Sequence, residues 1–194
     1  MIARSAGLEG CRARHLTARK NRAAILCSMG RVSRRRVGGG VGGDERRCGP
    51  VREAPETRNR YPHFLTIATR WMDNDVYGHV NNVVYYSYFD TVVNEYLIRT
   101  GVLDIEGSPV IGLVVETQCR YFEPVTFPDT VHAGLRVARL GRSSVRYEIG
   151  LFKNDSRTAA AQGHFVHVYV EREGRGDTPL PQEMRSALEK ILVG

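Results

Sequence analysis

One stretch of this sequence reads as a long helix, and the other patterned stretches read almost entirely as strands. In VVYYSYFDTVVNEYLIRTG (residues 83–101), Val83, Tyr86, Phe89, Asp90, Val93 and Leu97 recur at steps of three and four, so one face is largely apolar. Asn81 or Asn82 can cap its start, and Gly101 stands where a C′ glycine belongs. Before it, HFLTIATRW (63–71) alternates apolar and polar residues as a first strand. After it the period falls to two. VIGLVVETQCRYFEPV (110–125) reads as a long strand ended or bulged at Pro124, and TVHAGLRVARLG (130–141) as the next. In SSVRYEIGLF, Val145, Tyr147, Ile149 and Leu151 point one way and Arg146, Glu148 and Gly150 the other, the mark of an antiparallel sheet with one buried face. TAAAQGHFVHVYVERE (158–173) is the last strand, and a short helix is expected from Pro181 to Leu192. The order is strand, long helix, then four strands in meander spacing. The economical solution is an α+β domain in which a curved antiparallel sheet wraps the helix and both bury their apolar faces together. The remaining sheet edge and helix rim then call for a second subunit.

Charge divides the chain. The whole sequence carries +7, but residues 1–50 hold 12 Lys+Arg against 3 Asp+Glu, while residues 51–194 hold 16 against 18. The basic excess thus belongs to the leader, and the body lacks the basic surface of a nucleic-acid module. Residues 1–60, with RVSRRRVGGGVGGDERR at their centre, show no sustained apolar period and are expected to be disordered. That leader fits a targeting peptide, a basic tether to RNA or membrane, or an upstream start codon; the domain proper is expected over 61–194. No apolar run approaches the ~20 residues of a transmembrane helix. Cys11, Cys27 and Cys48 lie in the leader and Cys119 inside a predicted strand, with no CxxC pair. Neither a disulfide framework nor a zinc site is expected, and Cys119 reads as a small buried hydrophobe in a cytoplasmic protein. His164 and His167 differ by three on a strand, point to opposite faces and cannot share a metal.

The chemistry concentrates between the first strand and the helix, in Asp73-Asn74-Asp75-Val76-Tyr77-Gly78-His79-Val80-Asn81-Asn82. A carboxylate and an imidazole there stand at the N-terminal mouth of the helix, where free N–H groups and the positive dipole end favour developing negative charge. From residues alone, Asp75 is either a reactive carboxylate or a loop cap.

The pattern W-x-D-x-D-x-x-G-H-V-N-N-x-x-Y, Trp71 to Tyr85, resembles the signature of the 4-hydroxybenzoyl-CoA thioesterase family, especially the long-chain acyl-CoA thioesterase branch with GHVNN after its aspartates. The likeness spans roughly residues 61–172 and implies a hotdog fold, homodimers or homotetramers, and hydrolysis of an acyl-CoA without cofactor or metal. By position it makes Asp75 the catalytic carboxylate, as general base on water or as nucleophile. His79 resembles the histidine that plant acyl-carrier thioesterases place four residues after the aspartate; those relatives have asparagine where this chain has Tyr77. Gly112 aligns with a glycine whose N–H holds the thioester carbonyl, or else marks a bulge at the strand start. Tyr77, Asn82 and Glu123 are candidate substrate contacts, and Arg142 and Ser143 follow a glycine turn that could meet CoA phosphates. Asn81 and Asn82 also read as caps, and Glu116 and Glu123 as solvated strand positions. A thiol leaving group departs without a strong general acid, so one carboxylate, one water and one N–H donor suffice. The alternatives are hydrolysis of acyl-carrier-protein thioesters and a hotdog dimer that only binds acyl-CoA. The absence of GxSxG from the body argues against an α/β-hydrolase.

Overall fold

The computed structural model describes residues 54–193; Met1–Glu53, which hold most of the expected leader and three of the four cysteines, lie outside the described residues. Five strands, β1 (His63–Ala68), β2 (Val110–Tyr121), β3 (Thr130–Leu140), β4 (Ser144–Lys153) and β5 (Ala161–Glu171), form one antiparallel sheet around α1 (Asn82–Arg99), and α2 (Gln182–Glu189) closes the chain. This is the hotdog arrangement of an α+β fold.

The strands stand in the order β1-β3-β4-β5-β2. Only β3, β4 and β5 form the expected meander; β2 crosses to the far edge, where it pairs with β5 in a ladder from Val110↔Glu171 to Tyr121↔Ala161. Spacing could not show this, because the eight residues between Tyr121 and Thr130 are more than a tight hairpin needs and enough to cross the sheet. The first strand stops at Ala68, and Trp71–Asp73 form a 3-10 turn where the alternation suggested continued strand. The β2 ladder ends at Tyr121, before Pro124. Its bulge falls between Val114 and Glu116, so Gly112 lies in regular register and not in a bulge.

The helix turns a slightly different stripe inward from the one its apolar residues suggest. Phe89, Val93 and Leu97 are buried as expected, but Val83 and Asp90 are exposed, and Tyr85, Tyr88, Val92 and Tyr96 complete the buried face. The tyrosines are admitted because their hydroxyls find polar partners: Tyr88 donates to Asp73 at 2.9 Å and Tyr96 to the Ala187 carbonyl at 2.7 Å. Asn81 is the N-cap, its side-chain oxygen accepting from Val83 N, and Gly101 takes φ 76° just past the helix end. Against this face β4 presents Val145, Tyr147, Ile149 and Leu151, all fully buried.

Residues 54–60, assigned from sequence to the leader, belong to the fold. Glu56 N donates to Gln162 Oε1 at 2.9 Å and its carbonyl accepts from Ala159 N, also at 2.9 Å. The Tyr61 ring lies over Gly134 and Gly150, where a Cβ would come within 2.8 and 2.7 Å of it. Arg136, buried on this outer face, donates to both Glu56 and Glu148 and sits 4.9 Å from the Tyr61 ring centre. Polar residues that bind across a sheet leave no periodic trace, which is why composition placed them with the leader. His164 and His167 do face opposite ways. His164 meets Glu116 at 2.7 Å, while His167 packs among Tyr147, Phe165 and Tyr169.

Candidate active site

The segment from β1 to α1 is built as two unlike halves. In the first, Asp73 is 1 % exposed. Its carboxylate accepts from Arg70 N (2.7 Å), Arg70 Nε (2.9 Å) and the Tyr88 hydroxyl (2.9 Å), and its carbonyl accepts from Asn81 N (2.8 Å), the capping residue of α1. Burial pushes this carboxyl upward, but the Arg70 and Tyr88 bonds outweigh it and hold it below the usual carboxylate range. Asp73 is an ionised anchor with no capacity left for substrate.

In the second half, Asp75 to His79 form a turn pinched by the bridge Asn74↔Val80. Asp75 N donates to the His79 carbonyl at 2.9 Å, and Gly78 N to the Asp75 carbonyl at 3.0 Å. Gly78 takes φ 80°, a conformation that favours glycine. The Asp75 carboxylate is partly exposed and accepts from Tyr77 N at 2.8 Å, so it caps the turn and still faces solvent. Val76 and Tyr77 are 93 % and 82 % exposed, and Trp71, Met72 and Val83 nearby in the chain are exposed as well. Asn82 opens the helix beside them, its carbonyl accepting from Tyr121 Oη at 3.2 Å at the end of β2.

Not all of the expected site residues meet here. Asp75, Tyr77, His79 and Asn82 share the N-terminal mouth of α1, and Glu123 follows just beyond Tyr121 on the same end, exposed and 3.6 Å from Lys153. Gly112 is nine residues back along β2 from Tyr121, about 30 Å at strand spacing, and pairs with Tyr169. Arg142 and Ser143 form the β3–β4 turn at that same distant end, where their carbonyls accept from Leu180 N (2.9 Å) and Tyr169 N (2.7 Å). Gly112 also has a packing reason for being glycine: a Cβ there would come within 2.9 Å of His167 Nδ1 and 3.2 Å of the Tyr169 ring. Within one chain the expected residues thus fall into two groups at opposite ends of the sheet. Among the described residues no cluster of three or more His, Cys, Asp or Glu side chains is placed to hold a metal. Cys119 is half-buried against the core, and burial pushes its thiol up to about 11, so it stays protonated and unreactive at neutral pH.

The sequence reading missed the supports of the turn. The first aspartate of the pair is the buried one, and the segment after β2 holds the turn from outside through Val125, Thr126 and Phe127. No local signal marks these residues, because they lie about fifty positions from their partners.

Over residues 69–188 the chain matches the profile of the Thioesterase-like superfamily. It belongs to that superfamily. Among solved structures, the thioesterase superfamily fold here is similar to the PA5185 protein of Pseudomonas aeruginosa at 56 % identity and TM-score 0.71, covering 73 % of this chain and 99 % of that one. It is also similar to a thioesterase of Thermus thermophilus solved with coenzyme A and zinc, at 31 % identity and TM-score 0.57, covering 68 % and 95 % of the two chains. The Bacillus subtilis protein YsmA is 25 % identical over 118 residues, 61 % of this chain and 79 % of its own. Membership in the thioesterase superfamily supports thioester hydrolysis as the activity. The Asp75 turn, with its partly exposed carboxylate, leads directly into the N-cap of α1. No helix among the described residues is long and apolar enough to cross a membrane.

Proposed function

We propose that the protein is an acyl-CoA thioesterase, in the manner of the 4-hydroxybenzoyl-CoA family, acting in the cytoplasm with Asp75 as its catalytic carboxylate. The observation that carries this reading is the contrast between the two aspartates: Asp73 is consumed by structural bonds, whereas Asp75 is held by one backbone N–H at the helix mouth with carboxylate capacity to spare. Asp75 takes a proton from water, and the hydroxide adds to the thioester carbon while a backbone N–H receives the charge on oxygen. Collapse of the adduct breaks the C–S bond, and the departing thiolate takes a proton to give CoA and the free acid. Direct attack by Asp75 gives the same products through an anhydride that water then opens. His79 lies in the same turn and orients the substrate carbonyl or the water; Tyr77 and Asn82 flank the acyl group and Glu123 lies at the rim.

The working unit is a homodimer, or a tetramer built from such dimers. β2 is a twelve-residue edge strand whose Leu113, Val114 and Val115 are exposed, an edge that calls for a strand partner. Antiparallel pairing of β2 with its copy about a two-fold near its middle would lay Gly112, Arg142 and Ser143 of a second subunit beside the Asp75 turn of the first. The two separated groups then become one site, with Gly112 available to the carbonyl and Arg142 and Ser143 to the CoA phosphates.

Thiol release from a panel of aliphatic and aromatic acyl-CoAs, by the full chain and by Asp75→Asn, tests the reading. Turnover that collapses in the variant while folding and assembly persist supports it and names the substrate class. Tight acyl-CoA binding without turnover would make the protein a binding dimer, turnover confined to acyl-carrier-protein thioesters would change the substrate, and equal activity in both proteins would remove Asp75 from the mechanism.

A further inference from the structure

We propose that Thr126 and Asn74 are positioning residues that clamp the Asp75 turn in its reactive shape, an inference that rests on Asp75 being the catalytic carboxylate. The turn is fastened at its neck by Asn74 and Val80, and its tip, Val76 to Gly78, is exposed and held within its own segment only by the Tyr77 and Gly78 N–H bonds to Asp75. The outside support of the tip comes from the chain that leaves β2. Thr126 Oγ1 donates to the Gly78 carbonyl at 2.7 Å and accepts from Asn74 Nδ2 at 3.1 Å, while Asn74 Oδ1 accepts from Phe127 N at 3.1 Å. Val80 N donates to the Val125 carbonyl at 2.8 Å.

The donor and acceptor assignments allow one arrangement. The hydroxyl has a single proton, which goes to Gly78 in the shorter bond, so it must accept from Asn74; the Asn74 carbonyl oxygen is taken by a backbone N–H, so its amide group is the end that faces Thr126. Thr126 is itself held, because its N–H donates to Asp129 Oδ2 at 3.0 Å and its carbonyl accepts from Asp129 N at 2.7 Å. Gly78 is the link to the reactive group: its N–H holds the Asp75 carbonyl and its own carbonyl is held by Thr126. Gly78 sits in the left-handed region at φ 80°, and the Thr126 bond fixes the orientation of its carbonyl and so the turn that carries Asp75. Neither Thr126 nor Asn74 needs to touch substrate; both act through the shape of the turn.

Thr126→Val keeps the side-chain shape and deletes the hydroxyl, Thr126→Ser returns it, and Asn74→Ala removes the second member of the clamp. In acyl-CoA turnover by the full chain, Thr126→Val and Asn74→Ala are expected to lower kcat about tenfold with KM within about twofold, because misplacing a catalytic group costs rate more than affinity. Thr126→Ser is expected to restore kcat to within about twofold. The activity-independent reading is the NMR chemical shift of the Asp75 carboxyl carbon at one fixed pH and the amide shift of Tyr77, both expected to change in Thr126→Val and to return in Thr126→Ser. Unchanged kcat and unchanged Asp75 and Tyr77 signals in Thr126→Val overturn the clamp, as does a loss that Thr126→Ser fails to repair. If the unaltered protein turns over no acyl-CoA, the thioesterase reading falls, while the Asp75 and Tyr77 signals still decide whether the clamp exists.

Discussion

Asp73 and Asp75 stand two residues apart and have opposite fates. Asp73 is buried against Arg70 and Tyr88 and holds the capping residue of α1 through its carbonyl. Asp75 sits in a solvent-facing turn with its carboxylate on a single backbone N–H. A carboxylate that has spent its lone pairs on the fold is a foundation, and one left with spare acceptors keeps the capacity to meet water or a ligand. The pair teaches that a D-x-D repeat is not two copies of one environment: the first aspartate anchors the segment that presents the second to solvent.

The largest expected effect breaks the pair on the reactive side. Asp75→Asn should lower kcat by about a thousandfold, or ~4 kcal/mol in the barrier, with thermal stability unchanged within about 0.5 kcal/mol, as turnover and calorimetry would show. A buried group without a charge partner makes the next test. Burial brings the His167 imidazole down to about 4, and the residue is 4 % exposed. Its folded value lies below the ordinary ~6.5 of the unfolded chain, so its contribution is complete above about pH 6.5 and is lost as pH falls toward 4. The full swing is about 3 kcal/mol, and in urea melts the part of the decline between those pH values should shrink in His167→Phe. On the foundation side, Asp73→Ala should cost about 2–3 kcal/mol of stability by leaving the buried Tyr88 hydroxyl and the Arg70 cation without their acceptor. The Asp73 carboxyl is held low in the fold, so its contribution is present above about pH 4 and disappears as pH falls below that, and chemical denaturation of Asp73→Asn should lack this acid-side loss. The smallest effect is Tyr77→Ala, within about 0.5 kcal/mol in stability because the ring is solvent-exposed; a change in KM without a change in stability would assign Tyr77 to the substrate.

Much of the fold was legible because its periods are strong. Val145 to Leu151 alternate without a break, and Phe89, Val93 and Leu97 mark the helix face whichever neighbours are added. The tyrosines of α1 blurred that face, since a tyrosine is buried only when its hydroxyl finds a partner, and the partners of Tyr88 and Tyr96 lie elsewhere in the chain. In the site, Asp75, Tyr77, His79 and Asn82 were readable as a group because one short turn carries them all. Gly112 was placed with them by likeness of sequence and Arg142 and Ser143 by the glycine turn they follow, and a single chain holds all three at the other end of the sheet.

By itself the sequence determined the elements, the one-sided sheet, the capped helix and the turn at its mouth, because each depends on residues within a few positions of one another. Tertiary structure alone decided that β2 crosses to the edge beyond β5, that residues 56–61 lie on the outer face of the sheet, and that Asp73 is sealed while Asp75 is not. Those outcomes depend on partners such as Tyr88, Thr126 and Gln162, whose distance along the chain leaves no periodic mark and whose bonds form only when the sheet closes on its helix.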